Sequence, residues 1–554
     1  MKIDLLTTFS ILTISTYSFS SYAAQKPNVL IIIADDMGFS DLGCYGSEIK
    51  TPHIDYLASE GVLFSGMRNV GRSCPSRAAL LTGRYQHSVG LGWMTETDEH
   101  RSGYRGEVSR DIPTMPEVFK MNGYSTYMAG KWHITAGKAI GKRPLNGSFP
   151  NQRGFDKYWG AVNGGGGYYN PKNLMSDTTD ISFDSLPDDF YYTNCLNQKM
   201  VEYIKKHDTE EPAFMYLAHY APHRPLEAPK ERVDAIKARY EVGYDILKRN
   251  RYENMQKLGL ISEDIDMPIH DICFDNRAQI VCQSEKARQE WIELALPYNN
   301  KRPSWDELST QIQQSWVEEM ATFAAMIEIM DEGIGDVISA LKENGMYDNT
   351  LIIFISDNGA TLEGGFVSQL AADLSNTPFR DYKQWAYNGS TMSPFIMRFP
   401  SSMCDKQKNE VITGTFHQMD VFPTCVEFAS LDYPQEFNNK PIDSLHGVSL
   451  MPLFEEKSIE KRDLFFEHQT ASAVISENWK LVRISSKDRW ELYNLCEDIF
   501  EENNLADKYP QKVIELEKKW NNWAKLNDVL PLETLNWTQR VEKNKKLYPE
   551  DWLR

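Results

Sequence analysis

The sequence predicts an α/β fold, a large and mostly parallel central sheet flanked by helices, with a smaller C-terminal α+β subdomain. Two observations carry this expectation. Residues 28–36 read NVLIIIADD and residues 350–358 read TLIIFISDN. Such near-continuous β-branched apolar runs suit strands buried on both faces of a parallel sheet. Between them, the strand-like AFMYLAHY (213–220) alternates with helix-like stretches. These are TMPEVFKMN (114–122), the segment after Pro75, and residues 316–344. Strands alternating with helices point to a parallel sheet covered on both sides.

The chain's 554 residues, 41% of them hydrophobic, allow a large packed core. Residues 24–455 read as the main domain, and 230–315 as a polar, charged insertion of helical hairpins and loops at its rim. After about Leu453 the texture changes. Short strands (LFFEH, NWKLVRI, RWELYNL) precede one amphipathic helix that aligns Val513, Leu516, Trp520, Trp523 and Ala524 on one face. Residues 456–554 are therefore expected to form the smaller subdomain. GGGG at 164–167 lacks the Gly-Lys-Ser/Thr of a phosphate loop and reads as a flexible turn.

The N-terminus has Lys2, an apolar stretch from Leu5 to Ile14, and small residues ending Ser21-Tyr22-Ala23. This is the pattern of a secretory signal peptide over residues 1–23, and it predicts export to the periplasm or the medium. The apolar run is too short to span a bilayer. With no cysteine before Cys44 and no later apolar stretch of sufficient length, no stable membrane anchor is expected. The net charge of −19 argues against nucleic-acid binding, and means that any anion site must be built from local positive charge. Eight cysteines are scattered without a CxxC pair, which suggests neither a disulfide scaffold nor a zinc site. Cys273 and Cys282 either close a loop or remain two thiols.

Both buried runs end in a pair of oxygen side chains, Asp35-Asp36 and Asp357-Asn358. In open α/β sheets the ligand crevice lies outside the carboxyl ends of the strands. Four hard oxygen donors there suit calcium or magnesium rather than zinc. Either pair alone reads equally as a loop or helix cap. Residues 71–85 read GRSCPSRAALLTGRY. Pro75 suits the first position of a helix running through ALLTGR. Ser73 would then lie just ahead of the helix, where backbone N–H groups hold an anion, and Arg77 would reach back one turn. The plainer alternative is a serine cap and a solvated arginine.

This stretch resembles the signature of the type I sulfatases of the alkaline phosphatase superfamily. Their pattern is Cys or Ser, any residue, Pro, Ser or Ala, Arg, then a helix ending in Thr-Gly-Arg. From Ser73, proline is two residues on and arginine four, as the pattern requires; from Cys74 they are one and three. The resemblance spans nearly the whole mature chain. IADDMGFSDLGCYG matches the first metal segment, AGKWH gives Lys131 and His133, APHRPL gives His223, SDNGA gives Asp357 and Asn358, and NTPFRDYK ends at Lys383. NWKLVR, WELYNL and NNLA resemble the family's C-terminal end. YNGSTMSP (387–394) departs, standing where many relatives have Glu-Gly-Gly, a difference that bears on the shape of the substrate pocket more than on the catalytic core. His219, four residues before His223, is left out of the site because Pro222 breaks any helix that would pair them.

The resemblance implies a sulfuric ester hydrolase acting on a sulfate ester, expected to be a sulfated carbohydrate. It implies one divalent cation, calcium or else magnesium, on Asp35, Asp36, Asp357, Asn358 and the modified Ser73. It also implies a sulfatase-maturation enzyme as partner, converting Ser73 to formylglycine, whose hydrated diol attacks sulfur. Arg77, Lys131 and Lys383 would stabilise charge on the sulfate oxygens. His223, with Lys383, would protonate the departing alcohol, and His133 would deprotonate the second hydroxyl to expel sulfate. Two other readings remain. One is a phosphoester or phosphonate hydrolase of the same superfamily; the other is a non-catalytic binder of sulfated glycans.

Overall fold

The computed structural model describes residues 26–270, 277, 281–299, 301–401, 403, 408–529 and 535–551. The expected signal peptide, and a Cys273–Cys282 pairing, lie outside the described residues.

Eleven strands make up or adjoin the main sheet: β1 (Asn28–Ala34), β2 (Val62–Phe64), β3 (Met67–Arg68), β4 (Ser125–Gly130), β5 (Lys157–Ala161), β6 (Leu174–Ser176), β7 (Thr179–Asp180), β8 (Ala213–Ala218), β9 (Thr350–Ser356), β10 (Phe395–Arg398) and β11 (Glu410–Ile412). All but β3 form one ten-stranded sheet in the order β11-β2-β10-β9-β1-β8-β4-β5-β6-β7. β1 lies at its centre, parallel to β8 on one side and β9 on the other. β4 and β5 extend the parallel run, whereas β10 is antiparallel to β9 and β6 to β5. Every residue of β1, β8 and β9 is buried. Alternate β1 side chains enter separate apolar clusters, Leu30 and Ile32 in one, Val29 and Ile31 in the other. That is why these strands lack polar alternation.

The register Ala34↔Ser356 in the β1–β9 pair brings Asp35-Asp36 and Asp357-Asn358 to the same edge of the sheet. The 34-residue helix Thr310–Glu343 covers one face and packs on the helix Tyr192–Lys206. The segment 230–315 contains the helices Lys230–Ile236, Tyr244–Lys257 and Glu285–Ala295, which pack on Thr310–Glu343 and on the helix Phe366–Ser375.

Towards the C-terminus come β12 (Phe416–His417), which pairs with β3, the small hairpin β13 (Glu436–Phe437) and β14 (Lys440–Pro441), and an antiparallel sheet of β15 (Leu464–His468), β16 (Ala471–Ser476), β17 (Trp479–Arg483) and β18 (Glu491–Asn494). The helix Pro510–Leu526 buries Leu516, Trp520, Trp523 and Ala524 against this sheet, with Val513 only partly covered. The side chains of this subdomain join the same apolar cluster as Leu30 and Ile32, so the two layers share one core.

YNGSTMSP, where the chain departs from the family pattern, lies at the junction of the two layers. Its short helix Asn388–Thr391 is buried against the C-terminal sheet. Asn388 Oδ1 accepts from Arg68 Nη1 at 2.7 Å and from Lys480 Nζ at 2.8 Å, and its backbone N–H donates to Glu501 Oε2 at 2.8 Å. The segment therefore joins the two layers.

Candidate active site

Ser73 opens the fully buried helix Ser73–Thr82 rather than preceding it, and Pro75 is the third residue, not the first. The shift is tolerated because N–H groups of a first helical turn have no intrahelical acceptor, so the proline removes no bond. Gly83 ends the helix at φ 63°, its N–H donating to Ala79 O at 2.9 Å. This is the left-handed C-terminal cap that glycine adopts without a Cβ penalty, and it accounts for the Gly of Thr-Gly-Arg.

The Ser73 hydroxyl lies 3.0 Å from Asp35 Oδ1 and 3.2 Å from Asn358 Oδ1. The sheet register thus delivers both strand ends to the helix start. Asn358 Nδ2 in turn donates to Asp36 Oδ1 at 2.7 Å. Asp36 has φ 67°, a left-handed conformation that Asp adopts more readily than most residues, and it turns the chain directly after β1.

Three cations converge here. Arg77 Nε donates to Asp357 Oδ2 at 3.0 Å, Nη2 lies 3.5 Å from Asp35, and Nη1 donates to Lys131 O at 2.8 Å. Lys131 Nζ pairs with Asp35. Lys383 Nζ lies 2.9 Å from the Asp36 carboxylate and 3.3 Å from Glu363 Oε2. His223 Nε2 is 3.6 Å from Asp36 Oδ2, while Nδ1 donates to the Arg224 carbonyl. Since a carbonyl only accepts, this bond places a proton on Nδ1.

Burial would raise the Asp35 carboxyl, but Lys131, His223, Arg77 and Lys383 hold it well below the usual range. Asp357 moves the other way, to about 7, through burial and the Asp35 charge. Burial, Lys131 and Arg77 hold His133 well below the ordinary imidazole value, so its ring is neutral. Burial lowers His223 too, against the opposing pull of Asp36. Burial would lower Lys383, but Asp36 and Glu363 raise it. His219 is also buried, with neither ring nitrogen partnered, and burial alone lowers it to about 3.

The donor set fits a hard divalent cation. Asp35, Asp36, Asp357 and Asn358 are wholly buried and offer oxygen only, with the Ser73 hydroxyl between two of them. Burial first, and the Asp35 charge second, push Asp357 upward, and a bound dication would oppose both by favouring the ionised carboxylate. Asp35, Asp36 and His223 also form a close group of possible ligand atoms.

Above Ser73 opens a cavity of about 360 Å³, lined among others by Arg72, Glu96, His133, Gly164, His223, Glu363, Lys383 and Trp537. That volume lies within the ~300–1,000 Å³ usual for small-molecule sites. Sequence reasoning missed several of these residues. Glu363 bridges Lys383 and Arg72, the latter at 2.7 Å. The glycine run lies in a loop, and its first residue, Gly164, makes a close contact that the sequence does not announce. A Cβ on Gly164 would stand 2.2 Å from Lys131 Cε and 2.4 Å from Nζ. Gly164→Ala should therefore displace the Lys131 ammonium without disturbing the core. The expected result is a drop in kcat/KM of up to about 10²-fold, typical of an ångström-scale misplacement, with an unchanged melting temperature. Steady-state kinetics beside thermal melting checks this.

Comparison with known proteins bears on the reading. The sulfatase family model matches residues 27–431, and the model for the C-terminal part of N-sulphoglucosamine sulphohydrolase matches 379–526. An arylsulfatase of Klebsiella aerogenes is 31% identical, the match covering 80% of this chain and 95% of that one. An uncharacterised sulfatase of Schizosaccharomyces pombe is 30% identical, with 90% and 93% covered. Among solved structures, one bound to its substrate D-glucosamine-2-N,6-O-disulfate superposes with a TM-score of 0.63 at 20% identity, covering 91% of this chain and 99% of that one. The phosphonate monoester hydrolase of Agrobacterium radiobacter superposes with a TM-score of 0.56 at 18% identity, covering 90% and 96%. At such identities these two likenesses speak for the fold alone.

Proposed function

Because the chain belongs to the sulfatase family, the sulfuric ester hydrolases, we propose that it releases inorganic sulfate from a sulfated saccharide, with residue 73 as nucleophile. One observation carries this reading: the Ser73 hydroxyl, lining the cavity, sits between Asp35 and Asn358, with Arg77 and Lys131 on Asp35 and Lys383 on the adjoining Asp36. An anionic ester is bound here by local positive charge in a chain of net charge −19.

Asp35, Asp36, Asp357, Asn358 and residue 73 would hold calcium or magnesium, which supplies positive charge to the sulfate oxygens. Formylglycine at position 73 would supply a hydrated diol, with one hydroxyl to attack sulfur and a second through which sulfate is expelled. Arg77 fixes Asp35 and Asp357 in place. Lys131 and Lys383 offer ammonium groups to the oxygens that gain charge as the ester bond breaks. As the imidazolium, with one proton on Nδ1 held by the Arg224 carbonyl and a second on Nε2, His223 hands the Nε2 proton to the departing alcohol and is left as the neutral Nδ1–H ring. His133, kept neutral by burial and its cationic neighbours, accepts a proton from residue 73.

Saccharide sulfatases among the curated relatives support the substrate class, including an N-acetylglucosamine-6-O-sulfatase of Bacteroides thetaiotaomicron. Export fits a polymeric substrate outside the cell. Among the described residues, no helix is long and apolar enough to cross a membrane.

The test is mass spectrometry of the peptide holding residues 73–77, taken from active enzyme. Ser73 should be lighter by two hydrogen atoms. An aldehyde on Cys74, or an unmodified Ser73 in active enzyme, would refute the register. A host without a serine-type maturation enzyme should yield nearly inactive protein.

A further inference from the structure

The β15–β16 hairpin turns through Gln469 and Thr470, at φ 50° and 91°. Two consecutive left-handed residues are the geometry of a two-residue hairpin turn, which normally selects Asn-Gly. A β-branched threonine there is a strained choice, and such strain clusters at ligand sites. The residue leading into the turn, His468, is 2% exposed, and neither ring nitrogen has a hydrogen-bond partner. A buried imidazole left unsatisfied on both sides is costly unless a ligand or water completes it.

His468 faces a small recess of about 10 Å³. Its walls include Arg72, Trp93, Gln384, Gln469 and Trp537. Arg72, Met94, Val281, Gln283, Glu363 and Trp537 also line the large cavity above Ser73, so the recess opens from it. About 10–15 Å³ is the room needed by one water molecule, so a hydroxyl enters the recess and a ring does not.

The polar groups around it are chiefly uncharged. Arg72 Nη1 is engaged by Glu363 Oε1 at 2.7 Å and by Gln384 Oε1 at 3.2 Å. Gln384 is itself held at φ 92°, its N–H donating to Gly71 O at 2.6 Å. Trp537 begins the helix Trp537–Leu547 and leaves 37% of its surface exposed at the cavity mouth. Its position is fixed by the insertion: Gln283 Oε1 accepts from Thr538 Oγ1 at 2.8 Å, and Asn536 Nδ2 donates to Cys282 O at 3.0 Å.

We propose that His468 and the recess behind it bind a ring hydroxyl of the saccharide whose sulfate reaches residue 73, with Trp537 covering the apolar face of that ring. This rests on the sulfatase reading and narrows it to sugars with free hydroxyls beside the ester. A neutral imidazole offers one donor and one acceptor, the complement of a hydroxyl. A neighbouring carboxylate or second sulfate would find, among the described residues lining the recess, one cation, already paired with Glu363.

The experiment uses matured, full-length enzyme on p-nitrophenyl sulfate and on a panel of galactose and glucose monosulfates. The best sugar is then compared with a uronate-bearing disaccharide sulfated at the same position. His468→Ala should lower kcat/KM on the best sugar by at least about tenfold, the worth of one buried hydrogen bond, mainly through KM. Loss on the aryl ester, which brings no hydroxyl, should be several-fold smaller. His468→Gln, which keeps a donor and an acceptor, should recover part of the loss. Trp537→Ala, at a half-open position with little risk to folding, should show the same preference for the sugar ester. Equal losses on both esters, or a wild-type preference for the uronate-bearing ester, would overturn the proposal while leaving the sulfatase reading intact. Absence of sulfate release from every ester by enzyme with a modified Ser73 would instead sink the reading it rests on.

Discussion

Asp357→Ala is expected to lower sulfate release by about 10³-fold or more and to lower the bound divalent cation below one per chain. The side chain directly follows β9 and is wholly buried, with Oδ2 on Arg77 and Oδ1 3.4 Å from the Asp36 backbone nitrogen. Its removal takes an anionic ligand from a hard cation. It also leaves the Arg77 guanidinium with Asp35 as its remaining carboxylate, 3.5 Å away. Breaking a buried ion pair from one side costs about 3–5 kcal/mol, so some fall in melting temperature is expected as well. Asp357→Asn separates the two effects. It keeps the shape and one acceptor oxygen for Arg77, so it should fold nearly as wild type while still losing cation and activity. Elemental analysis of the purified variants beside sulfate release decides the matter. Two zinc ions per wild-type chain would point instead to a phosphoester hydrolase. Full activity after exhaustive chelation would remove the cation from the reading altogether.

The parts of this site that the sequence makes legible are those fixed by local rules. NVLIIIADD and TLIIFISDN announce themselves because strands buried on both faces cannot alternate. Their terminal oxygen pairs follow because a parallel register brings equivalent strand ends to one edge. Ser73 rather than Cys74 is the choice implied by the resemblance, since only from Ser73 do Pro75 and Arg77 fall at the spacing of the sulfatase pattern. What stays hidden depends on contacts that no local rule reaches. Gly164 is a glycine because Lys131, 33 residues earlier, passes where its Cβ would be. Helix Ser73–Thr82 starts two residues before Pro75, and its first hydroxyl meets Asp35 and Asn358, which follow two strands far away in the sequence. YNGSTMSP lies against the C-terminal sheet, held by Lys480 and Glu501, which lie some ninety residues or more away. His468 and Trp537 sit in stretches that carry no catalytic motif, and reach the cavity only through the packing of the C-terminal sheet and helix.

His223→Ala and His133→Ala are expected to fail in different ways. A sugar alkoxide is a poor leaving group and needs a proton as the ester bond breaks; a nitrophenolate does not. On the proposed mechanism His223 delivers that proton from Nε2 as the imidazolium, a state favoured by the Arg224 carbonyl on Nδ1 and by the Asp36 carboxylate 3.6 Å from Nε2. General acid catalysis contributes about 10²–10⁴-fold, so His223→Ala should lose that much on a sugar sulfate and far less on p-nitrophenyl sulfate. Lys383, 2.9 Å from the same carboxylate, is a second ammonium donor and sets a floor under the loss. On the proposed mechanism His133 acts at residue 73 after the alcohol has left, so the leaving group would no longer matter. Its replacement should slow both substrates alike and let sulfate accumulate covalently on residue 73. Rapid quenching followed by intact-mass measurement reads that adduct directly, as the mass of one sulfate added to the His133→Ala chain and not to the His223→Ala chain. Equal losses on both substrates by both variants, with no adduct in either, would mean that the two histidines only shape the cavity.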